Sequence, residues 1–574
     1  MLNLRKASPW ISAAILLLCV GWTYAPALKS FFYLDDFFLV AISRLLENPL
    51  APFANNHFPG GFFYRPFGIF AWWLSIKALG NTPGPQYLAN FALHFAIALA
   101  LWHLLLAWTG NRIGALLAAL AFALHPIGIG TSLWLSDRFD LLAVFFGILA
   151  LDLARAHTRG ARNTNLFLTT SLICAMAAVL SKEIGLAIFP PLVLVLLWPL
   201  PGRSLRRRAC EAALVGALAL ALLLLRASAL GSAFDSHFAG NASALQILLE
   251  GFAKWTSHFS GFALDFSRLS SLAAAAVTFG LILLAPPVAS GLLGAVRAEW
   301  RDERCLLALS ALALVLATCA LQSPSLRLIS PSPWPPMHAQ MAVEARLFYY
   351  SLAGVSMLVF ALCRFANVPT RLPRALRFAP VVAVALCLIP WAHDAHFLAK
   401  QYRDNSFVQM RLLQNVKATV DKLQLPARNC SVYLSGVDDQ LEFVFAMQFD
   451  AAMKALAADI HRVEHCRFSA QRAPWFYVLR EGALTPATAK PMEPLYLDSK
   501  QVPWPHFGGV EIAYLNLFDS IDAKSIPDAI FLAFDQGDIV DVTAEVRAGT
   551  RPFGLRCTRR PEQCIKPVDA LKQN

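Results

Sequence analysis

Two adjacent carboxylates, Asp35 and Asp36, stand inside the aromatic run Phe31-Phe32-Tyr33-Leu34-Asp35-Asp36-Phe37-Phe38. Apolar rings beside a carboxyl raise its pKa, and a like-charged neighbour raises it further. A carboxylate tuned in this way can take a proton from a hydroxyl or amine nucleophile. The same pair could equally form a solvated turn or a helix cap. Tyr64-Arg65-Pro66 follows, with an arginine fork suited to a two-point grip on phosphate. Next come His125-Pro126 and Ser136-Asp137-Arg138-Phe139-Asp140. Asp137 and Asp140 are three apart, so they share one helix face, with Arg138 between them as a potential neutralising partner. Ser181-Lys182-Glu183 and Glu344-Ala345-Arg346-Leu347-Phe348-Tyr349-Tyr350 complete the set. Glu344 and Arg346 are two apart and do not face each other on a helix. Cations to hold a phosphate leaving group, and a carboxylate to activate an acceptor, are what group transfer from a phosphorylated carrier requires.

The elements that must position these groups are apolar. The chain has 574 residues, 57% of them hydrophobic and only 15% charged. A soluble protein usually carries about 25% charge. Long stretches, such as Ala7–Leu28, Ile113–Ser136 and Ile184–Gly202, contain no Asp, Glu, Lys or Arg. A bilayer core about 30 Å thick takes roughly 20 apolar helical residues to cross. Disorder, a coiled coil and a small disulfide scaffold are excluded on composition. The expected fold is a polytopic α-helical membrane protein with a C-terminal α/β domain.

The net charge is +12. It sits mainly in short connectors between apolar blocks, which is the footprint of membrane topology, so no nucleic-acid partner is expected. Arg5 and Lys6 precede the first block, which reads as a retained signal anchor with its N-terminus in the cytoplasm. Arg155/Arg159/Arg162, Arg203/Arg206/Arg207/Arg208, Arg297/Arg301/Arg304 and Arg364/Arg371/Arg374/Arg377 mark further inside connectors. About eleven spans satisfy them: 9–28, 87–108, 112–127, 133–153, 164–181, 185–200, 210–230, 270–295, 305–322, 347–363 and 378–394. An odd number puts the C-terminus outside, in the periplasm of a bacterial-type inner membrane. All five charged motifs then face the outer side. Ionisable groups at such positions cost several kcal/mol unless paired, so they point to function. Arg65–Gly80 and Ala244–Leu269 read as interfacial helices.

The organisation is two domains, 1–399 in the membrane and 400–574 outside it. The second alternates short apolar runs (Ser431–Leu434, Trp475–Leu479, Val510–Leu517, Ala529–Phe534) with helical patterns over Asp404–Leu423 and Phe445–Ile460. It holds Cys430, Cys466, Cys557 and Cys564, an even set in an oxidising compartment, with Cys557–Cys564 the expected bridge. There is no Gly-rich phosphate loop and no HExxH or CxxC spacing. His94, four residues after Asn90 in the second span, reads as a hydrogen-bonded packing residue.

The order of these motifs resembles GT-C type glycosyltransferases, in particular the protein O-mannosyltransferases of the branch that carries tetratricopeptide repeats. The likeness runs over roughly residues 1–400. It rests on Asp35-Asp36 after the first span, Tyr64-Arg65-Pro66, Asn90 and His94, and His125-Pro126. It continues through Asp137-Arg138-Phe139-Asp140, Ser181-Lys182-Glu183-Ile184-Gly185 and Glu344-Ala345-Arg346-Leu347-Phe348-Tyr349. Asp137 replaces a family glycine, Ala345 separates Glu344 from Arg346, and no repeats are present. Neither the acceptor nor mannose as the sugar therefore carries over.

The resemblance implies an inverting transfer of a sugar from a polyprenyl-phosphate-linked donor to an extracytoplasmic protein, lipid or glycan. It implies Asp35 as general base with Asp36 in support. Arg65, Arg138, Lys182 and Arg346 would share the phosphate. Asp140 and Glu183 would position donor or acceptor, with His125, Asp137 and Glu344 as possible supports. No cofactor is called for; a divalent cation, if one takes part, would fall to Asp35, Asp36 and Asp140. Membrane lipid is the other expected partner. A transporter or flippase of lipid-linked sugars is the competing reading, although the sequence shows no internal symmetry and its charges sit at one face rather than at the midplane. A scaffold gives no reason for the clustered charges.

Overall fold

The computed structural model describes residues 9–33, 35–54, 63–160, 164–200, 202–231, 243–263, 270–297, 302–326, 345–365, 379–426, 430–435, 449–471, 477–480, 483–486, 496–497, 512–513, 517–518, 526–535, 538–551 and 553. The chain forms two compact units. The first comprises residues 1–29, 62–68 and 84–402; the second comprises 30–61, 69–83 and 403–574.

The first unit is helical. Helices lie at each of the eleven expected positions: α1 (Pro9–Tyr24), α4 (Pro83–Thr109), α5 (Arg112–Leu124), α7 (Arg138–Thr158), α8 (Thr164–Ser181), α9 (Phe189–Leu197), α10 (Leu205–Leu230), α12 (Ser271–Arg297), α13 (Glu303–Leu326), α14 (Tyr349–Phe365) and α15 (Ala379–Lys422). By length and composition, six of the described helices can cross a membrane. A seventh crossing is added if α5 and the following α6 (Ile127–Leu133) count as one span bent by 64°. The bend falls at His125-Pro126, because a proline supplies no N–H to the preceding turn. The remaining expected spans include shorter apolar helices and α7, whose first turn carries charge. The expected interfacial segments are helical too, as α3 (Pro66–Leu79) and α11 (Ala244–Ala263).

The second unit is built on a five-stranded sheet. Its strands include β1 (Ser431–Ser435), β2 (Arg467–Gln471), β7 (Leu517–Phe518), β8 (Ile530–Asp535) and β9 (Asp538–Asp541), in the order β7-β2-β1-β8-β9. Only the β8–β9 pair is antiparallel. Strands β3 (Tyr477–Arg480) with β4 (Ala483–Pro486), and β5 (Tyr496–Leu497) with β6 (Ile512–Ala513), form two small ladders. Parallel neighbours need a crossover, and α16 (Phe449–Leu456) lies between β1 and β2 in the chain. Val432 and Leu434 of β1, Phe468 and Ala470 of β2, and Phe531 and Leu532 of β8 are buried.

The structure revises the extent of two expected helices and adds one disulfide. The helix expected over Asp404–Leu423 continues the last span as one helix of 44 residues, α15. Of the helix expected over Phe445–Ile460, residues 445–448 lie outside the described residues and the described part, α16, ends at Leu456. The observed disulfide is Cys430–Cys466, which joins the starts of β1 and β2; Cys557 and Cys564 lie outside the described residues. The sequence division is 1–399 and 400–574; in the structure residues 403–574 form one compact unit together with 30–61 and 69–83.

The disulfide closes a loop of 36 residues. Replacing Cys430 and Cys466 by Ser should cost about 2–4 kcal/mol, mainly by releasing the unfolded chain. Limited proteolysis of the purified protein should then cut within 426–471 at a lower temperature, with cleavage of the helical unit unchanged.

Candidate active site

The charged motifs of the first unit come together in the fold. Arg65, just before α3, donates its Nε to Oε2 of Glu183 at 2.9 Å and its Nη2 to Oε1, a two-point grip. The guanidinium also lies 4.1 Å from the Phe63 ring centroid and 5.6 Å from that of Phe139. Lys182 pairs with Asp140. Arg346 Nη1 stands 3.5 Å from Asp137 Oδ1, and its guanidinium lies 4.2 Å from the Trp134 ring. Three cations from three distant segments thus each meet one of three carboxylates.

Two of these acids come from the sharp entry into α7. Asp137 ends a single 3-10 turn, and Asp140 sits in the first turn of the helix, where negative charge favours the helix dipole. Lys182 and Glu183 occupy the turn between α8 and the 3-10 segment Glu183–Ile188. Gly185 makes that turn possible. A Cβ there would lie 2.4 Å from the Ala178 carbonyl carbon, so only glycine lets the segment fold back onto α8. Gly68 does the same for the Arg65 segment, because a Cβ would lie 3.1 Å from the Ser181 carbonyl oxygen and would strike the Phe139 ring.

Arg138 behaves differently from the expectation of a neutralising partner for Asp137 and Asp140. It is buried, and turns towards α4. Its Nε donates to Asn90 Oδ1 at 2.7 Å, its Nη1 to Gln86 Oε1 at 3.1 Å and its Nη2 to the Gln86 carbonyl at 3.0 Å. Asn90 is therefore this arginine's acceptor. His94, by contrast, bonds Tyr349 Oη at 2.6 Å and the Ala123 carbonyl at 3.0 Å, consistent with its reading as a packing residue. His125 Nδ1 accepts from Ile127 N at 3.1 Å, and its ring packs on Trp391, so it shapes the α5–α6 bend. Glu344 lies outside the described residues.

One residue was missed. Arg226, near the end of α10, lines a cleft with Tyr64, Glu183, Leu186 and Leu222, and its charge acts on Glu183. The available signal was a lone cation in an apolar helix that carries no other charge after Glu211. Arg65, Arg138, Lys182, Arg226 and Arg346 outnumber Asp137, Asp140 and Glu183, so the described cluster is net positive and suits an anionic ligand.

The opposite ends of the same helices carry a separate set of ion pairs. Asp152 meets Arg155, Glu303 meets Arg159, and Glu211 meets Arg203, Arg207 and His157.

Asp35 and Asp36 belong to the second unit, where they open α2 (Asp35–Leu45). Asp36 is buried, and its Oδ2 accepts from Tyr33 N at 2.9 Å. Asp35 is half-buried. Burial, reinforced by the Asp36 charge, pushes the Tyr33 phenol up to about 12. Among the described residues one trio, Cys430, His465 and Cys466, is close enough to share a metal ion. Its two sulfurs are bonded to each other, so it is not a ligand set.

No family model matches the sequence, and no characterised protein matches it by sequence. Among solved structures, the archaeal oligosaccharyltransferase AglB from Archaeoglobus fulgidus, in complex with an inhibitory peptide and a dolichol-phosphate, is similar at 13% identity. The match covers 81% of this chain and 65% of that one, with a TM-score of 0.46. ArnT from Cupriavidus metallidurans, bound to undecaprenyl phosphate, is similar at 15% identity over 81% of this chain and 90% of that one, with a TM-score of 0.37. The chain spans slightly less than two thirds of the length of AglB.

The two kinds of arginine should respond differently to truncation. Arg138→Ala leaves Asn90 and Gln86 buried without their donor and should destabilise the protein by about 2–4 kcal/mol. Arg346→Ala removes a longer contact of a part-exposed guanidinium, although it leaves the buried Asp137 without its cation, and should cost less than Arg138→Ala, about 1–2 kcal/mol. Thermal unfolding of the two purified variants in detergent checks this; equal losses would contradict the assignment.

Proposed function

We propose that this chain is a GT-C type glycosyltransferase that moves a sugar from a polyprenyl-phosphate-linked donor to an extracytoplasmic acceptor. The observation that carries the reading is the convergence of Arg65, Lys182, Arg346 and Arg226 on three carboxylates at one end of the helical unit. An excess of cations in a site of low dielectric stabilises the negative charge that develops on a departing phosphate. The neighbouring apolar surface of Leu186 and Leu222 suits a polyprenyl tail.

In the proposed reaction the acceptor attacks the anomeric carbon, the bond from that carbon to the phosphate oxygen breaks, and polyprenyl phosphate leaves with inversion. The acceptor's proton passes to Asp35. Asp36, whose carboxylate accepts from Tyr33 N, supports it from the next position. Arg65, Lys182 and Arg346 hold the phosphate, exchanging their present carboxylate partners for it. Asp140 and Glu183 then have acceptor oxygens to offer to sugar hydroxyls. Arg138, fastened to Gln86 and Asn90, sets the start of α7 and with it Asp137 and Asp140. The opposite end of the helices, with its arginine-rich connectors, would face the cytoplasm of an inner membrane, and the C-terminal unit the periplasm.

Mass spectrometry of glycolipids and glycoproteins from cells with and without the protein should identify the product. Asp35→Asn should abolish that product, a loss of about 100-fold or more, while the protein still inserts. Full product with Asp35→Asn removes the proposed base. Movement of lipid-linked sugar across reconstituted vesicles without transfer would favour the flippase.

A further inference from the structure

The segment that carries the acidic pair is built into the C-terminal fold, and both of its ends are fastened there. At the entry, Phe31 N donates to Ser406 Oγ at 2.9 Å. That hydroxyl itself donates to the Arg403 carbonyl at 2.7 Å, within α15. At the exit, Arg44 in the last turn of α2 donates Nη1 towards three carbonyls at the end of α16: Lys454 at 3.1 Å, Ala455 at 2.8 Å and Ala457 at 2.9 Å. These are the acceptors that a helix leaves unsatisfied at its C-terminus, and a guanidinium there also favours the helix dipole.

The anchor is itself rigidly held. In α16, Lys454 Nζ pairs with Asp450 Oδ2 at 2.8 Å, and both side chains are almost wholly buried. Asp450 Oδ1 accepts from Phe468 N of β2 at 3.0 Å. A line of hydrogen bonds and ion pairs therefore joins the sheet, through Asp450 and Arg44, to the helix that begins at Asp35. The helix needs this support. It has 11 residues, and isolated helices shorter than about 12–15 residues are marginal in water. Its residues Asp36 to Ser43 are all buried, so its order comes from packing.

We propose that the C-terminal domain holds the acid-bearing helix in its working position, with Arg44 as the positioning residue. The inference rests on the proposed function, since it takes Asp35 as the base of that reaction. The domain is then part of the transfer machinery rather than an appended module. Arg44 touches neither donor nor acceptor and acts through α2. Displacing a reacting group by about 1 Å can cost on the order of 100-fold in rate. The phosphate-binding cations belong to the other unit, so their affinity should not depend on Arg44.

The test uses the full-length protein in detergent and compares wild type, Arg44→Ala and Arg44→Lys. Arg44→Ala should raise amide hydrogen exchange in peptides covering 35–45 by about tenfold or more, with peptides of α7 and α8 unchanged. Turnover, read as the product identified by mass spectrometry, should fall by about 10- to 100-fold. Binding of undecaprenyl phosphate, used alone as the probe, should stay within about twofold of wild type. Arg44→Lys, which keeps the charge but not the fork, should recover part of both losses. Wild-type exchange over 35–45 in Arg44→Ala overturns the inference, and so does wild-type turnover; neither touches the glycosyltransferase reading. A parallel loss of undecaprenyl phosphate binding also overturns it, because the effect is then general unfolding. If wild-type protein transfers no sugar, or Asp35→Asn transfers at the wild-type rate, the functional reading fails and the exchange data alone judge the placement.

Discussion

Charge brought out of water has to be answered by charge or by an oriented dipole, and the helical unit is arranged around that requirement. A single carboxylate or guanidinium at the end of an apolar bundle would cost several kcal/mol. Here the cost is met by pairing across the bundle. Arg65 answers Glu183, Lys182 answers Asp140 and Arg346 answers Asp137. Each pair ties together segments far apart in the chain, so the ionic groups also act as registration points for the helices. Arg138 meets the same requirement with neutral acceptors, Asn90 and Gln86, and fastens α7 to α4. The tight approaches at Gly68 and Gly185 bring the paired segments close enough for this to work.

In the proposed reading such a site is prepared for an anion without being open to it. Its cations are present in excess but already partnered, and a phosphate entering must offer at least what the carboxylates offer. A lipid phosphate can do so, because its tail adds apolar burial to the electrostatic attraction. The proposed reaction needs no protein group to form a covalent bond. It needs cations where the phosphate leaves and a base where the acceptor attacks. The second unit is organised on other principles, with a mainly parallel sheet, one disulfide and a wholly buried Asp450–Lys454 pair. Its contribution to the proposed chemistry is order at α2, supplied through Arg44 and Ser406.

Much of this was legible in the residues alone. Apolar stretches long enough for a bilayer mark the helices, because span length is set by bilayer thickness and each residue adds a fixed rise. Alternation and length marked β1 and β8. The motifs around Arg65, Asp137, Asp140, Lys182, Glu183 and Arg346 stood out because charge is rare in such a chain. Partner choice did not. Asp137 lies next to Arg138 in sequence yet pairs with Arg346, since neighbours on a helix point in different directions and the fold decides which distant side chain arrives. Arg226 went unnoticed because a single cation within an apolar helix looks like a snorkelling end until its neighbour Glu183 is known. Cys430 and Cys466 are brought together by parallel strand pairing across 36 residues, which no short spacing in the sequence announces.

The sequence by itself determined that the chain carries several helices long and apolar enough to cross a membrane, where most of them lie, and which ionisable groups were out of place. Those properties follow from local composition and from the solvent each residue requires. The tertiary structure alone decided which charges meet, that Arg138 serves α4 rather than the acids beside it, and that Asp35 and Asp36 belong with the C-terminal sheet. These are consequences of contacts between residues tens to hundreds of positions apart, and no local pattern encodes which of many compatible partners packing will supply.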